Sequence, residues 1–209
     1  YKDKIGSIVR EISFNAKDAH VDDNKAEVPF EVHLPDDFEP YFAVRDFGKG
    51  LSNEDMETVY TTYFTSTKDQ SNTAVGAFGL GSKSPFSYTD SFTVTSWFEG
   101  EQSTYSAHIG ADGQPNLLKL SSVPSTEPSG LEVRIASQRQ DFSSWNAAAA
   151  TQLQWMDVKP KLNKAVNFPK FEVKFSYGDV HIAQNAAGYS QKMIVVQGGV
   201  GYSFAEQDL

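Results

Sequence analysis

The sequence contains no cysteine, and its hydrophobic residues never form a long uninterrupted run. The first absence excludes disulfide bonds and thiolate metal sites, and it is typical of proteins in a reducing compartment. The second argues against a transmembrane helix, which needs about 18 consecutive apolar residues. We therefore expect a chain without a membrane span that works in the cytoplasm.

Positive charge is also scarce. The 18 lysines and arginines are outnumbered by 27 aspartates and glutamates, which gives a formal net charge of −9. The basic residues form no run, so the chain is not expected to bind nucleic acid directly. A site for an anionic ligand would have to offset the negative charge locally, with backbone N–H groups, a few lysines and a metal ion.

Motifs of several large enzyme classes are missing. The four histidines show no His-Glu-x-x-His spacing, and there is no Gly-x-Ser-x-Gly nucleophile elbow. The glycine-rich segments do not end in the Gly-Lys-Ser/Thr of a P-loop, and they do not follow the first strand of a dinucleotide-binding fold. Zinc hydrolases, serine hydrolases and these two nucleotide-binding folds are therefore disfavoured.

The hydrophobic pattern predicts an α+β fold. Apolar residues at intervals of three and four predict a helix over about residues 4–20, and alternating apolar residues predict strands over 28–34 and 42–44. Hairpin patterns dominate residues 91–135, and further helices are expected after Ser52 and over about 145–156. Because strands and helices are segregated, we expect a two-layer α/β sandwich, in which helices cover one face of a mixed, mostly antiparallel sheet.

Three polar side chains form a stripe on the first predicted helix. At about 100° per residue, Glu11, Asn15 and Asp18 lie within roughly 60° of one another, beside the apolar face. A carboxylate can activate a water molecule, and an amide oxygen is a suitable ligand for magnesium. A solvated helix face would show the same spacing, so the stripe alone leaves both interpretations open.

A second cluster begins at Asp46, which ends the second predicted strand and precedes Gly48 and Gly50. Aspartate and glycine are common turn residues, and a simple turn is one interpretation. The functional interpretation is that the Asp46 carboxylate accepts a hydrogen bond from the adenine amino group. The two glycines would then let the backbone approach the base.

The third cluster is rich in glycine and follows residues 65–73, a polar stretch without apolar periodicity that we expect to form a mobile lid. Backbone N–H groups at the start of a helix can hold phosphate. Lys68 lies in the polar stretch, and it is a candidate phosphate ligand, although most lysines in such places are simply on the surface. The remaining candidates for nucleotide binding are Gly76, Gly79, Leu80, Gly81, Ser82 and Lys83.

Together the clusters supply what hydrolysis of a phosphoanhydride requires. The reaction needs a base for the attacking water, a cation that neutralises phosphate charge, and backbone donors that hold the phosphates. We therefore predict an ATP site with magnesium, in which Glu11 is the catalytic base and Asn15 is the metal ligand.

In this order and spacing the clusters resemble the GHKL superfamily, which comprises gyrase B subunits, heat-shock chaperones, histidine kinases and MutL proteins. The resemblance covers about residues 5–135. It implies the Bergerat fold with ATP and Mg²⁺ as cofactors, water activation by Glu11 and magnesium ligation by Asn15. It further implies that Asp46 binds adenine, that Asp18 lies near the adenine end, and that residues 76–83 form the lid hinge and the phosphate cradle.

The chain departs from the family pattern at one position. The family usually has a Gly-Thr pair on a later strand, and the equivalent pair here is Gly130-Leu131, which lacks the hydroxyl. Many relatives take a phosphate-binding lysine or arginine from a following transducer domain. We expect the ATP-binding domain over residues 1–190 and the beginning of a transducer-like domain over 191–209. The chain is also similar in general character to the phage rapid-lysis A protein group, which has such an ATPase domain.

The resemblance implies a magnesium-dependent ATPase module with slow turnover. Its lid would close on ATP and drive a conformational change or self-association. One alternative is a nucleotide-gated switch that binds ATP or ADP without significant hydrolysis, and another is a histidine-kinase-type catalytic domain. A protein or nucleic-acid client would be bound through domains outside this chain.

Overall fold

The computed structural model describes residues 3–61, 81–178, 180–185 and 193–204. The expected lid over residues 65–73 lies outside these ranges. So do four of the candidate site residues, which are Lys68, Gly76, Gly79 and Leu80.

Seven strands of the described residues form the main sheet, in the order β5-β4-β3-β6-β2-β1-β7. Neighbouring strands are antiparallel except for the parallel pair of β1 and β7. The strands are β1 Glu31–His33, β2 Tyr41–Arg45, β3 Ser91–Phe98, β4 Glu101–Ile109, β5 Pro115–Pro124, β6 Gly130–Ala136 and β7 Lys161–Leu162. This mixed, mostly antiparallel sheet confirms the predicted fold class.

Three helices accompany the sheet in the described part of the chain: α1 Lys4–Asp22, α2 Asn53–Thr61 and α3 Phe142–Gln152. Helix α1 begins after Asp3, whose carboxylate accepts a hydrogen bond from the Gly6 amide at 2.8 Å. Helix α2 begins with a capping box, in which the Asp55 amide donates to the Ser52 hydroxyl and the Ser52 amide donates to the Asp55 carboxylate. Local sequence therefore fixes the beginning of both helices.

The core lies between α1 and the main sheet. The central part of the apolar face of α1 is buried, and its members Ile8, Val9, Ile12 and Ala16 belong to the same cluster as Val44 and Val133 of the sheet. Trp145 of α3 stacks on Phe42 of β2, with ring centroids 4.5 Å apart. The apolar stripe thus orients α1, and the polar stripe beside it runs along the border of the core.

Four more strands form a second sheet, in the order β11-β10-β9-β8. They are β8 Phe171–Tyr177, β9 Val180–Asn185, β10 Met193–Gln197 and β11 Val200–Phe204. The domain boundary expected at residue 190 falls between β9 and β10, which pair with each other. No helix in the described ranges is long and apolar enough to cross a membrane.

Candidate functional site

Helix α1 directs two of its polar side chains at Gly81. A Cβ atom on Gly81 would stand 3.1 Å from Oε2 of Glu11 and 3.3 Å from both Oδ1 and Nδ2 of Asn15. Glu11 also pairs with Arg10 at 3.0 Å, and about a third of each side chain is exposed. The structure therefore brings the candidate base, the candidate metal ligand and one glycine of the third cluster together.

Asp46 follows the last residue of β2 and is almost completely buried, with 6% of its surface exposed. Its Oδ1 atom accepts hydrogen bonds from the Gly48 amide at 2.9 Å and from the Leu131 amide at 3.2 Å. Burial raises the pKa of this carboxyl, and the two amides partly oppose that effect. Within the described residues no group donates a hydrogen bond to the other oxygen, Oδ2.

The two glycines after Asp46 are needed because the backbone is crowded there. A Cβ on Gly48 would stand 2.9 Å from the carbonyl oxygen of Ala19 in α1. Gly50 has a φ of +75°, which favours glycine, and it lies against the carbonyl of Trp97. The glycines therefore let the loop after β2 pack between α1 and the edge of the sheet where β3 ends and β6 begins.

Two cavities meet at Asp46. The smaller has a volume of about 30 Å³ and connects Asp46 with Asn15 and Ser82. The larger, of about 230 Å³, lies on the side of Ala19, Asp22, Lys49 and Gly50. Asp46, Leu51 and Leu131 line both. The smaller cavity has room for about one water molecule, so the path from Asp46 to Asn15 is continuous but narrow.

Ser82 and Lys83 follow Gly81 and are also buried, at 4% and 6% exposure. The Ser82 hydroxyl has no hydrogen-bond partner among the described residues, although it lines the smaller cavity. Burial lowers the pKa of the Lys83 ammonium group. A buried hydroxyl and a partly desolvated cation are both groups that an anionic ligand would stabilise.

Asp18 lies outside both cavities, as do the described candidates Glu11, Gly48, Gly81 and Lys83. The side chain of Asp18 is exposed on α1. Partial desolvation is the main cause that raises the pKa of its carboxyl; the charge of Lys17 lowers this pKa, and the charge of Asp22 raises it. Asp22, one turn further along α1, lines the larger cavity instead. The sequence analysis missed Asp22, yet its position seven residues after Asn15 continues the same helical stripe.

The residues fit a magnesium ion held mainly by phosphate. No three histidine, aspartate or glutamate side chains cluster within the described ranges, so these residues build no complete protein cage. Magnesium usually binds through one or two protein oxygens together with substrate phosphates and water. The Asn15 amide and the orphaned Ser82 hydroxyl on one cavity wall suit that mode.

Comparison with known proteins agrees with this geometry. The family described as histidine kinase-, DNA gyrase B-, and HSP90-like ATPases matches residues 5–135. The match confirms the resemblance drawn from the three clusters, while the likeness to the phage rapid-lysis A group stays a prediction. No curated protein sequence matches the chain significantly.

Proposed function

Since the chain belongs to the family of histidine kinase-, DNA gyrase B-, and HSP90-like ATPases, we propose that it binds ATP with magnesium and hydrolyses it slowly. ATP binding is the activity that family membership indicates. Hydrolysis, the roles of single residues and the consequences of binding are the proposal.

The observation that carries the proposal is the state of the Asp46 carboxylate. One of its oxygens accepts two backbone amides, and no described residue donates to the other. Oδ2 is thus the carboxylate oxygen left to accept from a ligand, and the amino group of adenine would be a suitable donor. The larger cavity beside Asp46 is lined by Leu51, Leu131 and Ala19, which offer apolar surface to a flat base.

The phosphates would then lie toward Asn15 and Gly81. Asn15 would hold magnesium, which neutralises phosphate charge when it is bound. Glu11 would accept the proton of the attacking water, because its Oε2 lies beside the Gly81 backbone that would face the phosphates. Ser82 and Lys83 would donate to phosphate oxygens, and the segment containing Lys68, Gly76, Gly79 and Leu80 would complete the cradle.

The family resemblance alone supports two further parts of the proposal. Closure of the lid on ATP would cover the phosphates, and the closed form would change the conformation of the chain or associate with a second copy. A protein or nucleic-acid client would be engaged through other domains.

One observation favours the switch without significant hydrolysis as a second candidate. The Glu11 carboxylate is paired with Arg10 at 3.0 Å. That ion pair would compete with the attacking water for the carboxylate. Leu131 also stands where many relatives have a threonine near adenine. ATP binding would then control a conformation without a useful rate of hydrolysis.

Calorimetry with Mg-ATP and phosphate release with and without magnesium separate these candidates. We expect the unchanged chain to bind ATP and release phosphate, and Glu11→Gln to bind ATP within about threefold while hydrolysis falls about 100-fold or more. Glu54→Gln, an exposed glutamate in the first turn of α2, is the control.

Each other outcome has a distinct meaning. Binding without phosphate release would favour the switch, and stable transfer of labelled phosphate to the protein would favour the kinase-type alternative. Full hydrolysis by Glu11→Gln would refute the role given to Glu11.

A further inference from the structure

The two peptide groups that flank Phe47, directly after Asp46, are each held by a side chain from another part of the chain. The Phe47 amide donates to Nε2 of His20 at 2.6 Å. The Phe47 carbonyl accepts a hydrogen bond from Nζ of Lys25 at 2.7 Å. His20 lies in the last turn of α1, and Lys25 follows that helix.

His20 is built into this position. It is 1% exposed, and its Nδ1 lies 2.8 Å from the carbonyl oxygen of Val28. Because a carbonyl can only accept, Nδ1 carries the hydrogen, and Nε2 is left as the acceptor that the Phe47 amide needs. The rings of Phe30 and Phe47 pack around the imidazole, with centroids 6.5 Å and 6.2 Å away.

Lys25 is also oriented, although it is partly exposed. Its ammonium group pairs with the Asp23 carboxylate at 2.6 Å, with 38% of the lysine side chain accessible. The hydrogen bond with Lys25 lowers the pKa of Asp23. The carboxylate therefore holds the ammonium group beside the Phe47 carbonyl.

The peptide group between Phe47 and Gly48 determines where the Asp46 carboxylate lies. Phe47 is the residue between Asp46 and Gly48, and the Gly48 amide donates to Oδ1 of Asp46. The Phe47 carbonyl and the Gly48 amide belong to the same peptide group, so a rotation of that group would move the Gly48 amide and break its bond to Asp46. The second amide on Oδ1 belongs to Leu131 in β6, so the carboxylate is fixed only while the loop and β6 keep their relative position.

We propose that His20 and Lys25 are positioning residues that clamp the peptide groups on either side of Phe47 and thereby make the Asp46 site selective for purines with a 6-amino group. This inference rests on the proposed function, because it assumes that Asp46 accepts a hydrogen bond from adenine. Neither residue touches the nucleotide, and both act through the loop. Without the clamp, the carboxylate moves among several orientations, and the 6-amino group no longer gains a fixed partner.

The test compares ATP with purine riboside 5′-triphosphate, which lacks only the 6-amino group. The unchanged chain should bind ATP about tenfold more tightly, the contribution expected of one hydrogen bond to a charged group. Lys25→Met and His20→Phe should reduce this ratio to below about threefold. His20→Gln, whose amide oxygen can still accept from Phe47, should restore part of the selectivity.

His33→Phe is the matched control. His33 also bonds a backbone carbonyl, that of Tyr41, and lies in β1 away from the Asp46 loop. It should leave the ratio of affinities unchanged. A general loss of stability lowers binding of both nucleotides alike, so the ratio separates positioning from folding.

Hydrogen exchange of the Phe47 amide gives a second measurement that needs no nucleotide. The amide should be protected in the unchanged chain and should exchange at least about tenfold faster in His20→Phe. The inference is overturned if Lys25→Met and His20→Gln both leave the affinity ratio unchanged, and if His20→Phe either leaves the ratio unchanged or fails to fold.

Failure of the proposed function looks different. If the unchanged chain binds neither triphosphate, the proposed function is wrong and with it the purine selectivity. An unprotected Phe47 amide would then refute the clamp itself.

Discussion

The Oε2 atom of Glu11 lies 3.1 Å from the point where a Cβ atom would stand on Gly81. This contact joins the first helix to the residue before the buried Ser82, far along the chain. An added Cβ atom would make a tight contact with this carboxylate, which would have to shift by a few tenths of an ångström.

Gly81→Ala tests this contact. The added methyl group would press on Glu11 and on both polar atoms of Asn15, which stand at 3.3 Å from it. We expect displacement of these side chains to lower the rate of ATP hydrolysis about 10- to 100-fold. Phosphate release at saturating Mg-ATP measures the effect.

Gly113→Ala is the control for Gly81→Ala. Gly113 has a φ of +77° and open space around it, so alanine there strains the backbone without touching the site. The free energy of unfolding of Gly113→Ala should fall by about 1 kcal/mol. Its rate of ATP hydrolysis at low temperature should be unchanged. An equal loss of hydrolysis in both variants would contradict the role given to Gly81.

Asp46→Asn should stabilise the fold while weakening ATP binding. The amide oxygen can still accept from Gly48 and Leu131, but the amide nitrogen would oppose the adenine amino group. We expect affinity for ATP to fall at least about tenfold. At neutral pH the free energy of unfolding should rise, because asparagine needs no buried charge.

The pH dependence of this stability difference has a definite sign. Burial raises the pKa of Asp46 in the folded chain above its ordinary value of 3.8. Below that value both states keep the proton, and the variant has no electrostatic advantage. As pH rises through 3.8 the unfolded state loses its proton first, so the stability of the unchanged chain falls relative to Asp46→Asn until the folded pKa is passed. Denaturant titrations at several pH values would contradict this if the difference were constant.

Ser82→Ala removes a buried hydroxyl that has no partner among the described residues. Loss of an unsatisfied hydroxyl should change stability by less than about 1 kcal/mol, whereas loss of a phosphate donor should weaken ATP binding about three- to tenfold. Ser84→Ala is the matched control. The Ser84 hydroxyl is also buried and has no partner among the described residues, but Ser84 lines neither cavity of the site. Equal affinities of the two variants would show that Ser82 does not contact the nucleotide.

Arg45 also stabilises the loop that follows β2. Its guanidinium group lies 3.8 Å from the Trp97 ring centroid and 4.9 Å from that of Phe47, and it donates to the carbonyls of Asp46 and Pro128. Arg45→Met should lower the free energy of unfolding by about 1–3 kcal/mol.

Arg134→Met is the comparison for Arg45→Met. Arg134 stacks on Tyr41 at 4.3 Å and pairs with Glu132, but 46% of its side chain is exposed. Its replacement should cost less than about 1 kcal/mol. Thermal or urea unfolding that ranks the two variants in the reverse order would contradict this account of Arg45.

Local patterns in the sequence were sufficient to predict the helices and much of the sheet. The apolar spacing in α1 and the Ser52–Asp55 capping box depend on neighbours within a few residues, and both are present in the structure. Gly48 and Gly50 were predicted either to form a simple turn or to let the backbone approach a base. Glycine is required at these positions because they lie against Ala19 and Trp97, and these contacts are visible only in the folded chain.

The support around the site could not be predicted because it is non-local. His20 meets the Phe47 amide through a single bond to backbone, which leaves no pattern of residue types in the sequence. The same holds for the Leu131 amide, which reaches Asp46 only because β6 pairs with β2.

A crystal structure of the chain with magnesium and a non-hydrolysable ATP analogue tests the central claim most directly. The account predicts the adenine amino group within hydrogen-bonding distance of the Asp46 carboxylate, with the metal at the Asn15 amide and the phosphates beside Gly81. A nucleotide bound elsewhere, or an Asp46 carboxylate that stays away from the base, would contradict it.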